Sequence, residues 1–227
     1  MILVQPPPVA KARVPAARNG RVLGVYGRCI LPRLIDLAMR RRPFAALREQ
    51  LVAGARGRVL EIGVGSGLNL PYYPRDLELL LGLDPSPELL RMARRHAAWT
   101  HFPVELAEGR AEDIPLDDRS VDQVVMSWTL CSVADPARAL TEIRRVLRPG
   151  GSLLFIEHGQ APELRVRRWQ DRLTPLWRRL AGGCHLNRPM ARLIEESGLR
   201  IADLDTGYLI KGPRFATYHY RGRAVLG

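Results

Sequence analysis

Lysine is nearly absent from these 227 residues: only Lys11 and Lys211 occur, so arginine supplies almost all of the 35 basic residues. Cysteine is scarce as well. Cys29, Cys131 and Cys184 are odd in number and far apart, with no C-x-x-C pair. That argues against a disulfide scaffold and against a cysteine zinc site, so no metal is expected, and it fits a reducing compartment. No run reaches the roughly 18 apolar residues of a spanning helix. The stretch MILVQPPPVAKARVPAARNG lacks the charged, apolar and cleavage regions of a signal peptide in their order. A cytoplasmic protein with a disordered tail over 1–20 is therefore expected.

What is present suits one medium domain: 46% of residues are hydrophobic and 26% charged. With 23 acidic residues the net charge is +12, an attraction to polyanions, whether nucleic acid or an anionic membrane surface. Between Tyr26 and Val52, Ile30, Leu31, Leu34, Ile35, Leu37 and Ala38 recur at helical spacing, with Arg33, Arg40, Arg41 and Arg42 mostly on other faces. Pro43 interrupts the run, and a second helix is expected over 44–53. This segment, 21–57, reads as a helical lid, either packed on the main domain or touching lipid headgroups.

From Arg58 strands and helices alternate. RVLEIG, ELLLGLD, PVELAEG, VDQVVMSW and SLLFIEH read as strands, with helices expected over 68–73, after Ser86-Pro87, after Asp135-Pro136 and in RPMARLIEESG. LRIADLDT and FATYHYRGRAV form a final antiparallel pair around Gly212-Pro213. The pattern predicts an α/β, Rossmann-like, doubly wound seven-stranded sheet over 58–227, mostly parallel with an antiparallel last strand. Ligands belong at the carboxyl ends of its strands.

The first strand runs into Gly63, Gly65 and Gly67, a G-x-G-x-G turn behind acidic Glu61. Asp84 closes the second strand about 20 positions on, where an acid can bridge two ribose hydroxyls. In A-E-D-I-P-L an adenine would meet the Ala111 amide and an acidic side chain. E-I-G-V-G-S-G, G-L-D-P-S, A-E-D-I-P-L-D-D-R-S-V-D and V-L-R-P-G-G together resemble the ordered motifs of class I S-adenosylmethionine-dependent methyltransferases. IGVGSGLNLPYYP, TLCSV, FIEHG and the Trp169/Trp177 pair followed by GGCHLNR narrow the likeness. They are similar to methyltransferase-like thiol S-methyltransferases and to bacterial proteins labelled phosphatidylethanolamine N-methyltransferases. The animal proteins carry an N-terminal hydrophobic anchor; here only an arginine-flanked helix is expected in its stead.

The resemblance implies S-adenosyl-L-methionine as cofactor and assigns Gly63, Gly65, Asp84 and Pro85 to it. Glu61 acts through the loop or a water, or is a buried acid pinning backbone amides. Asn69 and Tyr72 lie on the helix facing that loop, and Ala111 and Glu112 lie beside the adenine. Ser127 and Trp128 end strand four, where the methyl donor sits. An Asn/Asp-Pro-Pro-aromatic motif stands there in adenine-modifying relatives, so Ser-Trp-Thr-Leu argues against nucleic-acid base methylation. For the acceptor, Tyr26 in the lid, Cys131, Asn187 and Arg188 are candidates, and Trp169 and Trp177 line an apolar pocket or simply pack. His158, an exposed imidazole at the end of strand five, takes the acceptor's proton or makes a structural hydrogen bond; His185 is the alternative base.

A thiol ionises near pH 8.5 and needs modest help to react at neutral pH; an amine needs more. An arginine-rich mouth attracts a thiolate, so a small or lipophilic thiol is the preferred acceptor. A phospholipid amine is the alternative, and a cofactor-binding module without chemistry is the reading from another class. Peripheral contact with an anionic membrane stays open.

Overall fold

The structure, a computed structural model, describes residues 30–227. The tail expected over 1–20, Tyr26 and Cys29 lie outside the described residues. Two helices come first, α1 (Leu31–Met39) and α2 (Arg42–Val52), and Pro43 sits in the first turn of α2, where a missing N–H costs nothing. There follow β1 (Arg58–Ile62), β2 (Leu79–Asp84), α3 (Pro87–Ala97), β3 (Val104–Glu108), β4 (Val121–Ser127), α4 (Pro136–Val146), β5 (Leu147–His158), α5 (Leu164–Leu180), α6 (Met190–Glu196), β6 (Leu199–Tyr208) and β7 (Tyr218–Leu226). The seven strands form one sheet in the order β3-β2-β1-β4-β5-β7-β6. β7 runs antiparallel to both its neighbours, and β1 to β5 pair in parallel. This is the Rossmann-like, doubly wound sheet that the alternation predicts.

Successive strand residues face opposite sides, which divides the core in two. Leu60, Ile62, Leu81, Val124, Met126, Leu153 and Phe155 pack under α4 and α6. Val59, Leu80, Val125 and Ile156 face the other way, against Leu47, Leu51 and Val52 of α2. Ser86 and Asp135 cap α3 and α4, accepting from the amides of Leu89 and Arg138.

The helix expected over 68–73 does not form. Only a 3-10 turn, Leu70–Tyr72, spans the crossover from β1 to β2. Pro74 explains the shortfall: its ring drives the preceding residue out of helical geometry, and Tyr73 is extended at φ −66°, ψ 146°. The face a crossover helix would cover is filled instead by α2 with Leu70 and Tyr73. β5 is also longer than SLLFIEH. It starts at Leu147, opposite Val121, and passes an irregularity in pairing before Gln123 meets Ser152.

Candidate active site

The candidate residues gather at the carboxyl ends of β1, β2, β4 and β5. After β1 the chain turns through Gly63 to Gly67. Gly65 has φ +56°, and an added Cβ would meet only the Gly63 carbonyl, 3.8 Å away, so this backbone is bare towards the cleft. Asp84 fastens the turn: its Oδ2 accepts from the Gly65 amide (2.9 Å) and its Oδ1 from that of Ser86 (2.8 Å). Burial pushes the Asp84 pKa up, against the two backbone donors that favour the charged form. Each oxygen keeps a lone pair for a further donor. Pro85, next in the chain, is exposed.

Glu61 is buried below this turn. Its carboxylate accepts from Asn69 Nδ2 (2.7 Å) and from the Tyr73 hydroxyl (2.9 Å), and Asn69 Nδ2 also donates to Ser127 Oγ (3.0 Å). Burial raises the Glu61 pKa to about 7 despite those donors and nearby Arg48. The acid pins side chains, not the backbone amides weighed in the sequence. The tyrosine that reaches it is Tyr73; Tyr72 is half-buried beside the second core cluster. Glu112 is bound to the loop before α4, accepting from the Ala134 (2.9 Å) and Asp135 (3.2 Å) amides, and Ala111 is buried in the first core cluster.

Trp128 leaves β4 at φ +52°, a conformation few non-glycine residues adopt. Its ring stands edge-on to Phe44 of α2, and the buried Arg48 guanidinium lies 5.0 Å from its centre. Three polar atoms here have no hydrogen-bond partner among the described residues although they are buried: Asn69 Oδ1, Trp128 Nε1 and His158 Nε2. Unpaired buried groups are costly, and a polar ligand would relieve them. S-adenosyl-L-methionine, with an ammonium for Asn69 Oδ1 and ribose hydroxyls for Asp84, matches the donors and acceptors present.

On the acceptor side the structure corrects several expectations. His158 is 6% exposed, not an open imidazole, because β7 runs alongside and sets His219 against it, ring centres 6.4 Å apart. Its Nδ1 lies 3.5 Å from Cys184 Sγ. Trp169 is 51% exposed whereas Trp177 is half-buried against Phe215, so the two line no common pocket. Arg188 is spent on the β4–α4 loop, donating to the carbonyls of Leu130 and Val133, and Asn187 Nδ2 donates to Asp171 (2.8 Å). His185 Nδ1 contacts the Cys131 carbonyl at 3.1 Å, and burial lowers its pKa. Cys131 is 2% exposed. Arg48, Glu157, Cys184 and His219 are the site residues that sequence reasoning passed over. Only Glu157 carried a signal, as an acid inside the apolar FIEH strand.

Comparison with known proteins agrees with this geometry. A family model described as a methyltransferase domain matches residues 60–155. The rat thiol S-methyltransferase TMT1B is 33% identical over 198 residues, 82% of this chain and 78% of that protein. A phosphatidylethanolamine N-methyltransferase of Cereibacter sphaeroides is 38% identical over 104 residues, 45% of this chain and 51% of that protein. Among solved structures, a Thermotoga maritima protein titled a SAM-dependent methyltransferase, possible histamine N-methyltransferase, shares the fold. Its TM-score is 0.63 at 23% identity, covering 88% of this chain and 99% of that one.

Proposed function

Because the chain belongs to the class I S-adenosylmethionine-dependent methyltransferases, we propose that the acceptor it methylates is a thiol on a small or lipophilic molecule. The observation that carries this is the extent of the likeness. The alignment with the thiol S-methyltransferase runs through 82% of the chain and so takes in the acceptor-side residues, whereas that with the phospholipid enzyme spans 45%.

The cofactor supplies an electrophilic methyl on its sulfonium. The chain's residues hold and orient. Asp84 offers its remaining lone pairs to the ribose, Asn69 Oδ1 and the Gly63–Gly65 backbone take the amino-acid end, and Trp128 and Phe44 wall off water. Fixing donor and acceptor in line provides much of the rate for such a transfer. Arg48 and Arg188 add positive potential at this edge, which draws in a thiolate acceptor. The test is methyl transfer by the full chain from labelled cofactor to a panel of alkyl and aryl thiols, phenols, and vesicles of phosphatidylethanolamine. Label on thiols is the expected result; label on the phospholipid amine alone overturns the thiol reading.

Peripheral contact with an anionic membrane belongs to the same proposal. On α1, Leu34 (49%) and Leu37 (67%) are exposed, contrary to a helix that buries its apolar stripe, and on α5 so are Leu176 and Leu180. The end of α5 adjoins α1, because a Cβ at Gly182 would stand 3.2 Å from Ile35. Exposed Arg33, Arg172 and Arg179 lie on these two helices, and exposed Arg40 caps the end of α1. Among the described residues no helix is long and apolar enough to cross a membrane.

A further inference from the structure

We propose that Cys131, Cys184 and His158 form a binding site for a thiophilic divalent cation of the zinc class, with one coordination position left for the acceptor's sulfur. The acceptor half of this rests on the thiol reading above. The three residues come from the loop after β4, the turn between α5 and α6, and the last position of β5. Along the chain the cysteines are 53 residues apart, which is why their spacing argued against zinc; the fold sets the sulfurs 3.5 Å from each other. Cys184 Sγ is also 3.5 Å from His158 Nδ1, and all three ligand atoms lie within 4.8 Å of one another. Tetrahedral zinc, with Zn–S near 2.3 Å and Zn–N near 2.0–2.1 Å, requires sulfur–sulfur edges of about 3.8 Å and sulfur–nitrogen edges of about 3.5 Å. Both measured edges stand within a few tenths of an ångström of these.

The surroundings hold the ligands in place. Glu157, wholly buried, accepts from the amides of Thr129 (2.8 Å), Leu130 (2.8 Å) and Cys131 (3.2 Å). Arg188 grips the same loop through the carbonyls of Leu130 and Val133. Cys184 is delivered by Gly183 at φ +91°, where a Cβ would stand 3.3 Å from the Ser132 carbonyl. The His185 amide then donates to the Cys131 carbonyl (2.8 Å), locking one cysteine turn to the other. Fixed outer partners of this kind are what orient metal ligands. The charges balance too: two thiolates neutralise a divalent cation.

Binding of the cation displaces the protons of the two cysteine thiols, which go to solvent. An acceptor thiol joining the fourth position releases its own proton to solvent and becomes a bound thiolate. When its sulfur gains the methyl it becomes an uncharged thioether, and the cofactor's sulfonium becomes one as well. The product then has no charge to hold it.

The test is titration of the reduced full chain with Zn²⁺ against a chromophoric chelator, followed by spectroscopy of the Co²⁺ form. One zinc per chain is expected. Cys184→Ser should weaken it by more than the roughly 10–100-fold that loss of an outer partner costs. Serine keeps nearly the size of the Cys184 side chain and a hydrogen-bonding group, so this variant is expected to melt as the parent does; His158→Gln supplies a second ligand deletion. No stoichiometric zinc on the folded, reduced chain overturns the site, as does unchanged affinity in both variants. The Co²⁺ form should show sulfur-to-metal charge transfer and visible bands that move when a small thiol, but not an amine, is added. Bands that ignore the thiol overturn the open position. Methylation of amines alone, with zinc binding intact, sinks the thiol reading and leaves the metal site standing.

Discussion

Glu61 carries a pH dependence that the protein has to live with. Burial raises its pKa to about 7 in the fold, against an ordinary value of 4.5. Between those limits the folded chain holds a proton that the unfolded chain has released. Stability from this group is therefore greatest below about pH 4.5 and falls as pH rises to 7, by roughly 3 kcal/mol at most. Glu157, raised to about 7 by the same cause, adds a second decline over the same window. Glu61→Gln keeps an acceptor for one donor, and the Tyr73 hydroxyl can turn to accept from the new amide. This variant should lose the Glu61 share of the fall in melting temperature between pH 5 and 7. What is left is the decline from Glu157, opposed by His219: burial holds that imidazole low, at about 4, so its own contribution rises with pH up to about 6.5. Identical slopes in parent and variant would remove Glu61 from that role. At this scale the sequence was readable where a residue's place follows from the end of a strand, as with Gly65, Asp84 and Ser127. It was opaque where contacts join distant segments. Nothing in TLCSV and GGCH says that their sulfurs meet, and nothing in FIEH says that β7 will bury His158.

Among the elements, α1 and α2 have unlike duties despite their adjacency. α2 is part of the core through Leu47, Leu51 and Val52, whereas α1 buries little beyond Leu31, Pro32 and Asp36. Its hold on the site is the Ser66 hydroxyl, which donates to Asp36 Oδ1 at 2.5 Å from within the glycine turn. Removal of residues 1–41 should accordingly leave a cooperative melting transition while methyl transfer falls at least about tenfold, since orientation and water exclusion at the turn are lost. Removal of 1–19 should leave the rate unchanged. Full activity in the longer deletion would show that α1 does not act as a lid. Element identity was legible from apolar periodicity, with the helix entries at Ser86-Pro87 and Asp135-Pro136 visible in advance. The missing crossover helix was not: Leu70 and Tyr73 keep helical spacing, and Pro74 overrules it from outside the run.

For the molecule as a whole, the net charge of +12 and the exposed leucines of α1 and α5 should make vesicle binding electrostatic with a short apolar component. Flotation with anionic vesicles should be lost as salt is raised, and Leu176→Ser/Leu180→Ser should reduce it at low salt with cofactor affinity unchanged. Equal flotation with neutral vesicles would refute that picture. The sheet order has a further consequence, in the timing of synthesis. β7 is the seventh strand made, yet it lies inside the sheet between β5 and β6. Until residues 218–226 have left the ribosome, β5 and β6 both present bare hydrogen-bonding edges, and His158 lacks the neighbour that buries it. The nascent chain must therefore wait, with open strand edges that invite pairing with other chains, for its last strand to slot into place.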